Sequence, residues 1–179
     1  MKLSAKNILL IVAIAGAMVS CSTHKNTAKS RFWHAFNARY NTYYNGSQAF
    51  IDGNLEKEKG NKDNYTELIP LYTVGNKASR TIGKSHYERT IEKMEKAIQR
   101  HSIKEKGREY NPFLWKAWLM MGKAQFQMGQ FEESAATFSY MARLYQGQPL
   151  MSGLARAWLA KSYTELGWRY DAEDVIRNM

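Results

Sequence analysis

The sequence predicts an all-α protein in which helices fold back on one another in pairs. Proline, which breaks helices, occurs only 3 times in 179 residues. Apolar residues recur at helical spacing on both sides of Gly129. The pattern then returns, because Gly122 and Gly129 are followed, at one and the same offset, by Ala160 and Gly167. These observations predict an α-solenoid of stacked helical hairpins.

The paired helices have the pattern of a tetratricopeptide repeat (TPR), in which a large apolar residue is followed by an apolar and a small residue, then glycine and two aromatics. The pattern positions are Trp118, Met121, Gly122, Gly129, Phe131, Ser134 and Phe138. Gly129 is expected to supply the turn between the two helices, and the small Gly122 to let their axes come close. Asn111 is expected to cap the first helix, with Pro112 at its first position. Residues 112–179 are therefore TPR repeats. The last repeat is incomplete, so we expect the natural chain to continue beyond Met179.

The composition is that of a folded protein with an excess of positive charge. The chain is 44% hydrophobic and carries a formal charge of +10. Such a charge suits nucleic acid, an anionic membrane or an acidic protein. The basic residues are spread out and form no nucleic-acid module, so we expect no nucleic-acid partner. The one cysteine, Cys21, cannot form an internal disulfide.

Residues 1–20 have the plan of a secretory signal, with two early lysines, the apolar run Ile8–Val19 and then Ser20. Cys21 follows at once, and the arrangement resembles a bacterial lipoprotein signal, which implies a covalent lipid on Cys21. Ser22 stands where an inner-membrane retention signal has Asp. The expected location is the periplasmic face of the outer membrane, through a lipid anchor. An uncleaved anchor helix with an incidental cysteine is the alternative.

Residues 21–30 are a polar, lipidated tether, and an aromatic stripe follows it. The stripe has aromatics at every fourth position, at Phe32, Phe36, Tyr40 and Tyr44. Asn45-Gly46 is expected to end this helix, and Ser47 to cap a second one, which gives an atypical hairpin. The stripe is interpreted as core, with a ligand-binding platform as the alternative.

The rest of the region 31–111 is predicted to be a loop and a long helix. Residues 60–76 lack helical periodicity and contain Pro70. Lys77–Ile103 has an apolar stripe with charges opposite. The basic stretch Arg100–Arg108 suits the negative end of a helix dipole, or contacts an acidic partner or lipid headgroups.

No set of residues typical of a catalytic site is present. The four histidines lie far apart in sequence, and no phosphate-binding glycine loop occurs. We therefore expect no enzyme, no metal site, no small-molecule substrate and no cofactor other than the covalent lipid on Cys21.

The predicted functional surface is the concave groove lined by the first helix of each repeat. Lys123 and Lys161 stand at equivalent positions of successive repeats and would project along one wall, where they could bind the carboxylates of an acidic peptide. Ordinary solvated lysines are the alternative. The predicted groove residues are Lys116, Leu119, Lys123, Phe126, Gln127, Lys161, Thr164 and Glu165, with Leu154 and Ala157 at further equivalent positions.

Three stretches carry a resemblance to a known family. They are SRFWHAFNARYNTYYNG, DNYTELIPLY and AWLAKSYTELGWRYDAEDVIR. Together with the lipoprotein cysteine they resemble the TPR lipoproteins of the type IX secretion and gliding-motility apparatus, the SprE/PorW family. The resemblance implies a non-catalytic periplasmic scaffold that joins proteins of an outer-membrane secretion complex. Members are much longer than this chain.

Two other readings share the anchor and the repeats. One is a glycan-binding outer-membrane lipoprotein of the SusD type, which would stack sugars on its aromatic residues. The other is an accessory lipoprotein of β-barrel assembly.

Overall fold

The computed structural model describes residues 25–66, 68–69 and 77–179, and this part of the chain is mostly helical. The predicted all-α class is confirmed in that the described residues are mostly helical and contain little strand. The signal at 1–20 and residues 21–24 of the tether, which include Cys21, lie outside the described residues. The rest of the tether is described, and its last three residues are the start of α1. The α-helices are α1 (Ala28–Asn37), α2 (Tyr44–Gly60), α3 (Lys84–His101), α4 (Leu114–Gln127), α5 (Phe131–Leu144), α6 (Pro149–Glu165) and α7 (Arg169–Arg177).

The predicted turn at Asn45-Gly46 is wrong, because the chain stays helical there. A π-helical segment, Ala38–Tyr43, joins α1 to α2, and its flanking residues keep right-handed helical dihedrals. The Ser47 hydroxyl donates to the Tyr44 carbonyl 2.8 Å away, within the helix, and so does not cap a new one. The aromatic region is therefore one long helix that packs against α3.

The assignment of the aromatic stripe to the core is also wrong. The buried face of the long helix consists of small and polar residues, namely His34, Ala38, Thr42, Gly46, Ala49 and Gly53. A Cβ atom added at Gly46 would overlap the Met94 Cε atom, so α2 and α3 approach very closely there. Such close packing needs small residues, and the large rings are left facing solvent.

Helix α3 is shorter than the predicted Lys77–Ile103. A 3₁₀ turn, Lys77–Arg80, precedes it, and Gly83 takes a left-handed conformation with φ of 72° just before its first turn. Its buried face, which includes Tyr87 and Met94, agrees with the predicted apolar stripe.

A small β-hairpin follows α3 where a basic helix end was predicted. Strand β1 (Lys104–Glu105) pairs antiparallel with β2 (Arg108–Glu109). Buried Glu109 accepts hydrogen bonds from the Ile103 and Asn111 amides, each at 2.9 Å. These bonds fix the segment that leads from α3 into α4.

Asn111 does not cap α4 as predicted, since the helix begins at Leu114. The Asn111 side-chain oxygen accepts from the Phe113 amide at 3.0 Å, and its amide group donates to the His101 carbonyl at 2.8 Å. Asn111 therefore ties the start of α4 to the end of α3.

The helix pairs α4–α5 and α6–α7 are joined by the same turn, which returns in the second pair at the same offset. Gly129 and Gly167 have φ of 73° and 78°, as glycine just after a helix end requires. The Gln130 amide donates to the Gln125 carbonyl at 3.0 Å, and the equivalent bond from Trp168 to Tyr163 is 2.9 Å. The two turns are thus structural copies.

The predicted role of Gly122 is confirmed. A Cβ atom at this position would lie 2.5 Å from the Phe138 ring, so only glycine lets α4 and α5 come this close. The Ser134 hydroxyl donates to the Gly122 carbonyl at 3.0 Å and also lies 3.0 Å from the Ser162 hydroxyl, which joins α5 to α6.

A buried lysine connects the long N-terminal helix with the repeats. The Lys57 ammonium group donates to the Gln127 backbone carbonyl and, at 3.3 Å, to its side-chain oxygen. It also lies 5.3 Å from the centre of the Tyr87 ring. Because Gln127 is the last residue of α4, this cation satisfies the carbonyl end of that helix.

Candidate functional site

Two lysines and a tryptophan form a contiguous surface across the first helices of the two repeats. The Lys123 Nζ atom of α4 lies 5.0 Å from the centre of the Trp158 ring of α6. The Lys161 Nζ atom lies 4.8 Å from the same ring centre and 4.9 Å from that of Phe126. We call Lys123, Trp158 and Lys161 the lysine wall.

Trp158 is held in place by aromatic packing on its inner side. Its ring stacks on Phe138 with centroids 5.8 Å apart and meets the edge of Phe126 at 5.6 Å. Phe126 and Phe138 are fully buried. The indole therefore has a fixed orientation, and each ammonium group gains a cation–π contact from it.

Burial lowers the pKa of both lysines of the wall. For Lys161 the nearby Glu165 carboxylate acts in the opposite direction, and the positive charge of Lys123 lowers the pKa further. Two partly desolvated ammonium groups that repel each other gain from a shared anion. The lysine wall is therefore suited to a carboxylate from another molecule.

Only part of the predicted groove is brought together here. Lys123, Lys161 and Glu165 lie at the lysine wall, and Phe126 forms its buried floor. Thr164 is exposed on the same helix, with its hydroxyl donating to the Ala160 carbonyl.

Three predicted groove residues point elsewhere. Leu119 packs against the core between α5 and α6. Gln127 faces the long N-terminal helix, where it accepts from Lys57. Lys116 is exposed over the Phe113 and Trp115 rings, at 5.5 and 5.4 Å. Equivalent positions in successive repeats do not show which way a side chain points, because each repeat packs against different neighbours.

Trp158 and Lys57 were missed by the sequence reasoning. Trp158 precedes Lys161 by three positions, a spacing that makes helical residues neighbours, so the pair was detectable. Nothing in the local sequence around Lys57 distinguishes it from the exposed Lys59 that follows shortly after it.

No family model matches the sequence, and no similar protein is found among the curated ones. Within residues 25–66, 68–69 and 77–179, no group of three or more His, Cys, Asp or Glu side chains is arranged to hold a metal ion. None of the helices described is long and apolar enough to cross a membrane.

Proposed function

We propose that this protein is a non-catalytic TPR scaffold, anchored to the outer membrane by a lipid on Cys21, that mediates protein contacts in type IX secretion or gliding motility. The observation that carries the proposal is the repeated pair of helices with a lysine wall across it. TPR proteins bind other proteins through the surface that successive repeats share, and the wall spans two repeats.

The TPR-like solenoid is supported by the copied turns and by the order of packing. Each of the helices α3 to α6 packs on the next one along the chain, and α4 also contacts α6. Contact between first helices of successive repeats is what a solenoid requires. The offset from Gly129 to Gly167 is slightly longer than the period of roughly 34 residues that is standard for a TPR.

The kind of partner follows from the chemistry of the wall. Two lysines with lowered pKa beside an indole suit an acidic peptide segment with an apolar side chain next to its carboxylate. We therefore propose protein partners from an outer-membrane or periplasmic secretion complex, with no small-molecule substrate and no nucleic acid.

The glycan-binding alternative gains one observation from the structure. Phe32, Phe36 and Tyr40 are exposed, as a sugar-stacking surface requires. The β-barrel assembly alternative shares all the features of the scaffold, and no observation favours it.

Deletion of the gene tests the proposed cellular role. We expect the deletion strain to lose secretion of type IX cargo and to regain it with the wild-type gene on a plasmid. Normal secretion in the deletion strain would remove this function. A Cys21→Ala variant is expected to leave the membrane fraction, and its retention there would argue against the lipid anchor.

Charge reversal tests the lysine wall itself. In pull-downs from membranes with the full-length protein, the double variant Lys123→Glu and Lys161→Glu is expected to lose its partner proteins. The matched control is Lys59→Glu, a reversal at an exposed lysine on α2. Equal recovery of partners by both variants would mean that the wall is ordinary surface.

A further inference from the structure

The long N-terminal helix carries an exposed aromatic face. It consists of Phe32, Trp33, Phe36, Tyr40 and Tyr44, each more than half exposed. The rings lie side by side, with centroids 6.3 Å apart between Phe32 and Phe36 and 4.8 Å apart between Phe36 and Tyr40. They form one continuous apolar strip rather than scattered single residues, and such strips mark interaction sites.

The fold uses this face only at Trp33, whose ring centre lies 6.3 Å from that of His101 on α3. The other side of the same helix, from His34 to Gly53, is the one buried against α3. The His34 and His101 Nδ1 atoms, for example, are 3.1 Å apart inside that interface. The aromatic residues can therefore act outside the protein without a cost in core packing.

The segment that carries the aromatic face bears only positive charges. Lys25 and Lys29 lie at its start and Arg39 lies beside Tyr40, and no acidic residue occurs from 25 to 51. An acidic group from elsewhere, the Glu105 carboxylate, accepts from the Asn26 side chain at 2.6 Å, just before the helix begins. The Arg39 guanidinium lies 5.1 Å from the centre of the Tyr40 ring. Aromatic rings beside basic residues are the composition of helices that lie in a membrane interface.

We propose that the aromatic face lies in the headgroup region of an anionic bilayer, parallel to its surface. This inference rests on the proposed lipid anchor at Cys21. The short segment from Cys21 to Ala28, at the start of α1, spans at most roughly 25 Å when extended. A lipid on Cys21 would therefore keep the aromatic face within reach of the bilayer.

Lipid fits the surroundings of the aromatic face better than a glycan does. Sugar binding needs free polar side chains beside the rings, but the Asn37 and Asn45 amides donate to the carbonyls of Trp33 and Asn41 on their own helix, each at 2.8 Å. Lys25, Lys29 and Arg39, on a segment that has no acidic residue of its own, complement the phosphates of lipid headgroups.

The proposed contact also orients the repeats. Helix α3 packs on the side of the long helix that is opposite the aromatic face, and α4 packs on α3. With the aromatic face on the bilayer, the helices that carry the lysine wall would extend from the membrane into the periplasm.

The test places a fluorescent label on the aromatic face of the full-length, lipidated protein. A lipid on Cys21 blocks the only native thiol, so Phe36→Cys can be labelled alone with an environment-sensitive nitrobenzoxadiazole dye. The control is Glu95→Cys, at an exposed position of α3. The protein is reconstituted in vesicles of phosphatidylethanolamine with phosphatidylglycerol, and separately in phosphatidylcholine.

We expect the dye at 36 to shift to the blue and to be quenched by nitroxide lipids in the anionic vesicles, while the dye at 95 stays in water. A further Lys29→Glu and Arg39→Glu change is expected to reduce the shift. A dye at 36 that remains accessible to iodide on vesicle-bound protein would overturn the proposal. So would a dye that is shielded equally without vesicles, because protein would then cover the face.

Mass spectrometry of the same preparation separates this inference from the proposed function. Missing lipid on Cys21 would contradict the proposed anchor and leave a second thiol for the dye, so the labelling would be repeated with Cys21→Ala and Phe36→Cys together. A lipid-buried dye at 36 in that protein would still support the membrane contact. A lipidated Cys21 with the dye at 36 in water would support the proposed anchor and contradict the membrane contact.

Discussion

The repeats bury aromatic residues in their core, whereas the long N-terminal helix exposes its aromatic stripe. In the repeats, Phe126 and Phe138 are fully buried and lysines lie on the outside over Trp158. In the long helix, small residues are buried while Phe36 and Tyr40 are exposed.

The difference comes from how closely the helices approach. Between α2 and α3 the Gly46 and Gly53 positions leave no room for a large side chain. Between α4 and α5 one glycine, Gly122, admits the Phe138 ring, and larger residues fill the remaining space. An aromatic stripe at helical spacing therefore does not identify the core, because a stripe of small residues on the same helix can be the buried one.

The largest expected effect on stability is the difference between removing a buried ring and removing an exposed one. Phe138→Ala should lower the free energy of unfolding by about 3 to 5 kcal/mol, because it removes buried contacts and leaves a cavity. Phe36→Ala should change it by no more than about 0.5 kcal/mol. Urea unfolding of both variants, followed by circular dichroism, measures the difference. Similar losses would mean that the N-terminal aromatic residues are also core.

Two glycines of the repeats test the effect of adding one methyl group at a crowded position and at an open one. Gly122→Ala should destabilise the protein by about 1 to 3 kcal/mol, because the new Cβ would overlap the Phe138 ring. Gly153→Ala, in α6, meets nothing within 4 Å and should stabilise by about 0.5 to 1 kcal/mol through helix propensity. Thermal unfolding of the two variants checks the opposite signs, and equal signs would contradict the packing described for Gly122.

The junction of the two regions should give the protein a pH dependence. Burial lowers the pKa of Lys57 from 10.5 to about 8. As pH rises from about 8 to 10, folded Lys57 loses its proton while the unfolded chain keeps it, so the free energy of unfolding should increase by about 1 to 2 kcal/mol. Lys123 and Lys161, whose pKa burial also lowers, add in the same direction.

Above pH 10 the trend should reverse. Burial raises the pKa of Tyr87 and Tyr145, so their hydroxyls stay protonated in the folded protein while those of the unfolded chain ionise.

Lys57→Met is the control for the increase in the free energy of unfolding between about pH 8 and 10, since it removes the buried ammonium group. Urea unfolding at a series of pH values should show a smaller rise in this variant. A rise of unchanged size would exclude Lys57 as its cause.

The sequence was sufficient to predict those features that depend on local geometry. The turn at Gly129, its copy at Gly167 and the close approach at Gly122 follow from glycine at fixed positions in a periodic pattern. The lysine wall was half predicted, because the offset between the repeats aligned Lys123 with Lys161 but did not indicate which aromatic ring joined them.

Other features depend on contacts between distant residues and could not be predicted in this way. Asn45-Gly46 is a common turn sequence, yet here Gly46 provides space for Met94 of another helix. Asn111 resembles a helix cap but binds the end of α3 instead. The burial of Lys57 depends on Gln127, 70 residues further along the chain. In each case a tertiary contact overrode a valid local preference.

The central claim is that the aromatic rings are exposed in the N-terminal helix and buried in the repeats. Hydroxyl-radical footprinting of the full-length protein tests it most directly, because it reports side-chain exposure at many residues in one experiment. In lipid-free protein we expect rapid oxidation of Phe32, Phe36 and Tyr40, and protection of Phe126 and Phe138. If the N-terminal rings were oxidised as slowly as Phe126, the account would be contradicted.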